Sequence, residues 1–158
     1  IVLGTGADPI EVEFNFDEFS ESDINSGTLT LTSTNTDDLG SQIRTLAGAS
    51  RSDVVSAQVN SVRLGRIGLG NAQPKVFGYL GSGRVYYGSD TNAQAIGERT
   101  PMPADVEVTL DLIDSDITSI VQGGERRLTL ELQVDEPSQI EAGQSVEITV
   151  RYRIEVNI

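Results

Sequence analysis

The stretch that decides the fold is VEITVRYRIEVNI, residues 146–158, in which apolar and polar side chains alternate without a break. Successive side chains of a β-strand point to opposite faces of a sheet, so this alternation predicts a strand with one buried face. A typical strand has about five or six residues, and this run is about twice as long. We therefore predict one long strand over residues 145–157.

Four shorter segments upstream show the same alternation, and two β-prone runs are joined by a short Gly-rich link. Residues 57–64 are also assigned to a strand, although their apolar spacing fits neither the helical nor the strand period cleanly. The turn signals also predict two pairings, a hairpin of 75–80 with 84–88 and antiparallel contact between 127–134 and 145–157. The predicted strands cover residues 10–16, 28–32, 57–64, 75–80, 84–88, 106–111 and 127–134.

Helical spacing of apolar residues is confined to two short segments. Residues 37–47 predict a helix, and residues 114–121 predict a second helical turn. About seven to nine antiparallel strands with one or two such turns are typical of an all-β, antiparallel two-sheet β-sandwich, either jelly-roll or immunoglobulin-like. Because 158 residues suit one domain, we predict a single sandwich over 1–158, with 1–9 as an N-terminal arm or donated strand.

The chain is strongly acidic, with 24 Asp and Glu residues against 11 Lys and Arg residues and a formal net charge of −13. A phosphate backbone is an unfavourable partner for such a surface, so we do not expect nucleic acid binding. No apolar run approaches the ~20 residues of a membrane-spanning helix. Since the chain begins at Ile1, we expect that a leader was removed and that the protein is extracellular or at the cell surface.

Two catalytic residue types are missing, since the chain contains neither His nor Cys. The Ser-His-Asp triad, the Cys-His dyad and most zinc or copper sites therefore lack a required base or ligand. Glu11 and Glu13 have the spacing of a carboxylate pair, but any solvated strand face produces the same spacing. We predict no enzymatic activity and keep an acidic hydrolase that uses these two residues as a minor alternative.

Oxygen-rich loops are the best candidates for a metal site, because Ca²⁺ prefers carboxylate, hydroxyl and carbonyl oxygens. None of these loops has the full EF-hand pattern, and Asp at a turn or helix start explains each of them equally well. We expect no cofactor other than, at most, a structural calcium ion. The candidate ligands are Asp37, Asp38, Asp90, Asp114 and Asp116.

One local cluster of aromatic residues predicts a contact patch, formed by Tyr79, Arg84, Tyr86 and Tyr87. Tyr and Arg are enriched in binding surfaces, although a cross-strand pair with core filling explains the same residues. Adjacent side chains of a strand point to opposite faces, so we expect Tyr86 or Tyr87 to leave the core.

Both ends of the chain have features of an assembling subunit. Ile1, Val2 and Leu3 form an apolar start that should dock either on the chain's own sheet or on the sheet edge of a neighbour. The C-terminal strand has no Pro or Lys that would protect an exposed edge from pairing. The charged residues that could protect it instead are Arg151, Arg153 and Glu155.

These features predict a non-enzymatic structural subunit of an extracellular filament, coat or surface layer, which assembles with copies of itself through strand edges and chain termini. The predicted architecture is similar to that of the β-sandwich subunits of microbial surface fibres and of some virion proteins. That resemblance is one of fold and carries no residue-level motif. The alternative is a secreted or lipoprotein-like module that binds a ligand such as a glycan.

Overall fold

The computed structural model describes residues 1–5, 9–20, 27–65, 80–103, 107–135 and 144–157, together with residues 22 and 105. These residues form β-strands, two α-helices and one turn of 3-10 helix. The strands are β1 Val2–Leu3, β2 Ile10–Asn15, β3 Thr28–Thr32, β4 Val54–Leu64, β5 Leu80–Tyr87, β6 Gln94–Arg99, β7 Val108–Thr109, β8 Asp111–Leu112, β9 Leu128–Val134 and β10 Glu147–Val156. The helices are α1 Leu39–Ala47, the 3-10 helix Arg51–Asp53 and α2 Thr118–Gln122.

The strands form two antiparallel sheets that pack face to face. In sheet 1, β1 and β2 lie along the same side of β10, and β4 and β7 follow on its other side. In sheet 2 the order is β3, β9, β5, β6, β8. The prediction of an all-β, two-sheet antiparallel sandwich is therefore confirmed, and both predicted helical segments contain a helix.

The core lies between the sheets and follows the alternation of the sequence. In β10 the side chains of Ile148, Val150 and Tyr152 are fully buried, whereas Arg151 and Arg153 between and beyond them are exposed. Burial of one such apolar side chain contributes roughly 1.5–3 kcal/mol to stability. The apolar residues of β10 therefore determine which face of the strand turns towards the core.

The two predicted strand pairings are wrong. β9 and β10 lie in different sheets. A turn signal between two strands does not specify that they pair with each other. The Gly-rich link at 81–83 is not a turn but lies inside the single strand β5. A Cβ on Gly83 would lie 2.8 Å from the Met102 methyl carbon, so this glycine permits a close contact. Residues 75–79 of the predicted hairpin lie outside the described residues.

The predicted strand 106–111 is also divided. β7 pairs with β4 in sheet 1 and β8 pairs with β6 in sheet 2. Leu110 lies between them, is buried, and donates its backbone N–H to the carbonyl of Val62. The chain therefore crosses from one sheet to the other at this residue, and β7 and β8 lie on the same side of the sandwich.

The C-terminal strand β10 is an interior strand rather than an edge. It pairs with β4 along one side and with β2 and β1 along the other. Arg151, Arg153 and Glu155 therefore point from the middle of sheet 1 and have no edge to protect, which corrects the role predicted for them. Alternation predicts which face of a strand is buried, but not how many neighbours the strand has.

The N-terminal residues dock on the chain's own sheet, which is one of the two arrangements that the sequence left open. Val2 pairs with Glu155, and the terminal amino group donates to the carbonyl of Val156 at 3.1 Å. This end of β10 is available because β2 pairs only as far as Tyr152. Gly4 follows at φ +85°, where a Cβ would lie 2.0 Å from the Tyr152 carbonyl oxygen. Only glycine fits this approach of the two strands.

Among the described residues, none of the helices is long and apolar enough to cross a membrane.

Candidate functional site

The predicted aromatic patch is only partly assembled. The Arg84 guanidinium lies 5.6 Å from the centre of the Tyr86 ring and 3.8 Å from the Glu98 carboxylate. Tyr86 is 9% exposed under this arginine. Tyr87 belongs to the core at 2% exposure, and it therefore offers no surface for a partner. Tyr79 lies outside the described residues.

Tyr87 instead belongs to a buried polar network that the sequence did not predict. Its hydroxyl donates to Asp37 Oδ2 at 2.7 Å, and the Tyr152 hydroxyl lies 3.0 Å from it. Because the one proton of Tyr87 is directed at Asp37, Tyr152 is the donor in the second hydrogen bond. Arg51 donates to Asp37 Oδ1 and also to the carbonyl of Val121 at 3.2 Å.

This network connects both sheets with the segment that precedes α1. Tyr87 comes from β5 in sheet 2, and Tyr152 comes from β10 in sheet 1. Burial raises the pKa of both tyrosine hydroxyls well above the usual value near 10.0. Both are therefore neutral hydrogen-bond donors at ordinary pH. Every charge in the network has a partner, which is typical of a structural cluster rather than a reactive one.

The raised pKa values predict a loss of stability in alkali. Below about pH 10 both states keep these protons, whereas above it the unfolded chain releases protons that the folded chain retains, so the free energy of unfolding falls. Tyr152→Phe removes one such group, and we expect a shallower decline with pH. Urea unfolding between about pH 9 and about pH 11 measures both slopes. Identical slopes in the two proteins would contradict this origin of the pH dependence.

The predicted calcium ligands are engaged in local structure. Asp37 is the buried partner of Arg51, so its carboxylate does not face solvent as a metal ligand in an open loop would. Asp116 accepts hydrogen bonds from Thr118, and these lower its pKa. The Asp90 carboxylate accepts a hydrogen bond from the backbone N–H of Asn92 at 2.8 Å, which stabilises a turn.

Asp38 and Asp114 complete the predicted calcium set. Asp38 precedes α1 and accepts a hydrogen bond from Gln42 at 2.7 Å. Asp114 is exposed after β8, where its backbone carbonyl accepts from Gln94. Within the described part of the chain, no group of three or more carboxylates could hold a metal ion together. A structural calcium ion stays a prediction without a defined site.

Glu11 and Glu13 lie on the outer face of sheet 1. Glu11 accepts a hydrogen bond from Arg151 at 2.8 Å, and both side chains are on an exposed strand face rather than in a cleft. The acidic hydrolase alternative requires two carboxylates that converge across a bound substrate. These two residues do not form that arrangement.

The edge of β2 is covered by side chains that satisfy its backbone. Gln42 of α1 donates to the carbonyl of Glu11 at 3.0 Å. Asn35 donates to the carbonyl of Glu13 at 2.9 Å and accepts the N–H of Asn15 at 2.8 Å. Such a covered edge cannot accept an added strand without losing these hydrogen bonds.

Of the six large apolar residues that are exposed in the described part of the chain, Leu46 lies on α1 and Val55 on β4, and the other four lie near two other edges. Ile1 is 61% exposed and Val2 39% exposed at the β1 edge of sheet 1. Leu112 and Ile113 are each 43% exposed at the β8 edge of sheet 2. Among the described strands, β8 pairs on one side only, with β6.

These two apolar edges lie on opposite sides of the sandwich. Phe16 after β2 forms a bridge with Ser33 after β3, so the β2 and β3 edges share one side. β7 and β8 share the other side, since Leu110 alone separates them. Because β1 lies beside β10 in line with β2, Ile1 and Val2 are on the side opposite Leu112 and Ile113.

A polar cleft of about 490 Å³ opens beside the N-terminal half of α1. One wall comes from α1, another from the 3-10 helix and the residue before it, and a third from the loop after α2. Arg44 is exposed here and makes no ion pair with any residue in the described ranges. The lining residues are Gly40, Ser41, Arg44, Ser50, Arg51, Ser52 and Glu125.

Comparison of the chain with protein-family models, with curated protein sequences and with solved structures found no match.

Proposed function

We propose that the chain is a non-enzymatic structural subunit of an extracellular filament, coat or surface layer, which assembles head to tail with copies of itself. The observation that carries the proposal is the position of the exposed apolar residues. Ile1 and Val2 lie at one side of the sandwich, and Leu112 and Ile113 lie at the other. A contact between two different surfaces of one subunit repeats without closing and produces an open filament.

The proposed contact differs from the strand donation that the sequence suggested. The first residues already pair with β10 and stay in their own sheet. What remains available is the apolar surface of Ile1 and Val2 along the β1 edge, which would cover Leu112 and Ile113 of the next copy. Burial of apolar area supports association, at roughly 25 cal/mol per Å² before the costs of binding.

The net charge of the chain opposes this assembly at low ionic strength. Two copies that each carry a charge of −13 repel each other, and Asp111 and Asp114 flank the apolar residues of β8. The Debye length falls to about 8 Å at 0.15 M salt, so the repulsion is screened while apolar contact persists. We therefore expect assembly to increase with salt.

The mass distribution of the purified protein tests the proposal. We expect light scattering in about 0.15 M salt to show species many times heavier than the 16.9 kDa chain, and electron microscopy to show regular polymers. Leu112→Ser should prevent their formation. Leu46→Ser is the matched control, because Leu46 is 49% exposed on α1 and lies on neither edge. A protein that stays monomeric at every salt and calcium concentration would rule the proposal out.

A further inference from the structure

We propose that the cleft beside α1 is a binding site for a saccharide that carries a carboxylate group, such as a uronic-acid oligosaccharide. This site shares no lining residue with the apolar edges and does not depend on assembly. Its volume of about 490 Å³ lies within the range of roughly 300–1,000 Å³ that is usual for small-molecule sites.

Arg44 is the residue that would recognise the carboxylate. It lines the cleft, is exposed, and has no ion-pair partner among the residues that the structure describes. A guanidinium group presents a planar set of N–H donors that matches the two oxygens of a carboxylate. Several other arginines also make no ion pair among the described residues, but of these Arg44 is the one that lines this cleft.

Arg51 also lines the cleft, and hydrogen bonds to the protein hold its side chain in place. Its terminal nitrogens bind Asp37 and the carbonyls of Val121 and Gly124. No acceptor within the described ranges meets its Nε–H group. A Cβ on Gly40 would lie 3.1 Å from this nitrogen, so a side chain at position 40 would crowd the Arg51 guanidinium.

The hydroxyl groups of the cleft suit a ligand that has hydroxyl groups of its own. Ser50 donates to Asp53 at 3.1 Å, so Ser52 is the donor in the 2.7 Å contact between the two serines. Ser52 therefore offers acceptor capacity to a ligand. Ser41 adds a hydroxyl that can donate or accept.

Glu125 limits the negative charge of the ligand that the cleft can bind. Its carboxylate lies in the same lining and accepts from Thr36 at 3.1 Å. A carboxylate in the same lining disfavours a phosphate group with two negative charges or a polyanion. The same carboxylate accepts hydrogen bonds from sugar hydroxyls. One negative charge surrounded by several hydroxyls, as in a uronic acid, satisfies both groups.

Calorimetric titration with a glucuronic-acid disaccharide, and with the neutral disaccharide in which both acids are replaced by glucose, tests the assignment. We expect heat of binding from the acidic sugar alone. Arg44→Ala should weaken it by about tenfold to a hundredfold, the range expected for loss of a charge-assisted hydrogen bond. Arg44→Lys should restore only part of the affinity, since the lysine keeps the charge but not the planar set of donors.

Arg153→Ala is the matched control, because it removes the same charge from an exposed position on the outer face of sheet 1. We expect it to leave the affinity unchanged. If both alanine variants weakened binding equally, the binding would come from general charge attraction, and the proposed site would be wrong. Equal affinity for the neutral sugar, or no heat with the acidic one, would also overturn it. None of these results bears on polymer formation, which light scattering measures separately.

Discussion

Asp37→Ala is expected to lower the free energy of unfolding by about 3–5 kcal/mol, the cost of removing one partner of a buried ion pair. The Asp37 side chain is fully buried, and that of its partner Arg51 is 14% exposed. Without the carboxylate, Arg51 keeps its charge in a site that solvent hardly reaches. The Tyr87 hydroxyl also loses the acceptor that lies 2.7 Å away. Urea unfolding with a spectroscopic signal for the fold measures this change.

Asp38→Ala is the control for this experiment. Asp38 is the next residue and is exposed, and its carboxylate makes no hydrogen bond to the backbone at the start of α1. Its loss should cost about 1 kcal/mol or less, since only an exposed contact with Gln42 disappears. Similar losses in the two variants would mean that Asp37 is not a buried counter-ion and that the network is not what joins the sheets.

The sequence predicts the alternating strands well because each of them has its own periodic signal, whereas β6 does not alternate and is not predicted. In β2 the apolar residues at alternate positions are buried, and the Glu and Asn residues between them are exposed. The helix α1 is predicted for a similar local reason, since it ends at Gly48, whose φ of +66° favours glycine. Signals of this kind depend on neighbouring residues only.

Strand partners and the polar network could not be predicted, because both depend on residues that are distant in the sequence. Tyr87 contacts Asp37 across 50 positions and Tyr152 across 65 positions. Nothing near Tyr87 distinguishes a core tyrosine from a surface one, so the sequence places it in a predicted contact patch. The interior position of β10 has the same cause, since its neighbours come from the opposite end of the chain and from β4.

The sequence does not predict the cleft, for a related reason. The cleft combines α1, the 3-10 helix and Glu125, and no motif marks that combination in the sequence. The one available signal was the scarcity of cations, since only 11 Lys and Arg residues are present in an acidic chain. On a helix, a carboxylate three or four residues away can form an ion pair with an arginine, and Arg44 has no Asp or Glu at those positions.

Phe14→Ala is expected to destabilise the fold by about 3–5 kcal/mol, as is usual when a fully buried phenylalanine is truncated. Phe14 lies on β2 in sheet 1 and is 0% exposed. Its ring meets that of Tyr87, in sheet 2, edge to face at 6.3 Å and 82°. The substitution therefore removes apolar burial and also an aromatic contact between the sheets, and equilibrium unfolding in urea measures the sum.

Two further variants separate these effects. Phe14→Leu keeps most of the volume and should cost about 1.5 kcal/mol or less, because the core stays filled although the aromatic contact is lost. Glu13→Ala, one residue away on the exposed face, should change stability by no more than about 0.5 kcal/mol. A loss below about 1 kcal/mol for Phe14→Ala would mean that β2 does not pack against β5. Strand alternation would then still hold, but the assignment of strands to two facing sheets, which alternation alone does not specify, would be wrong.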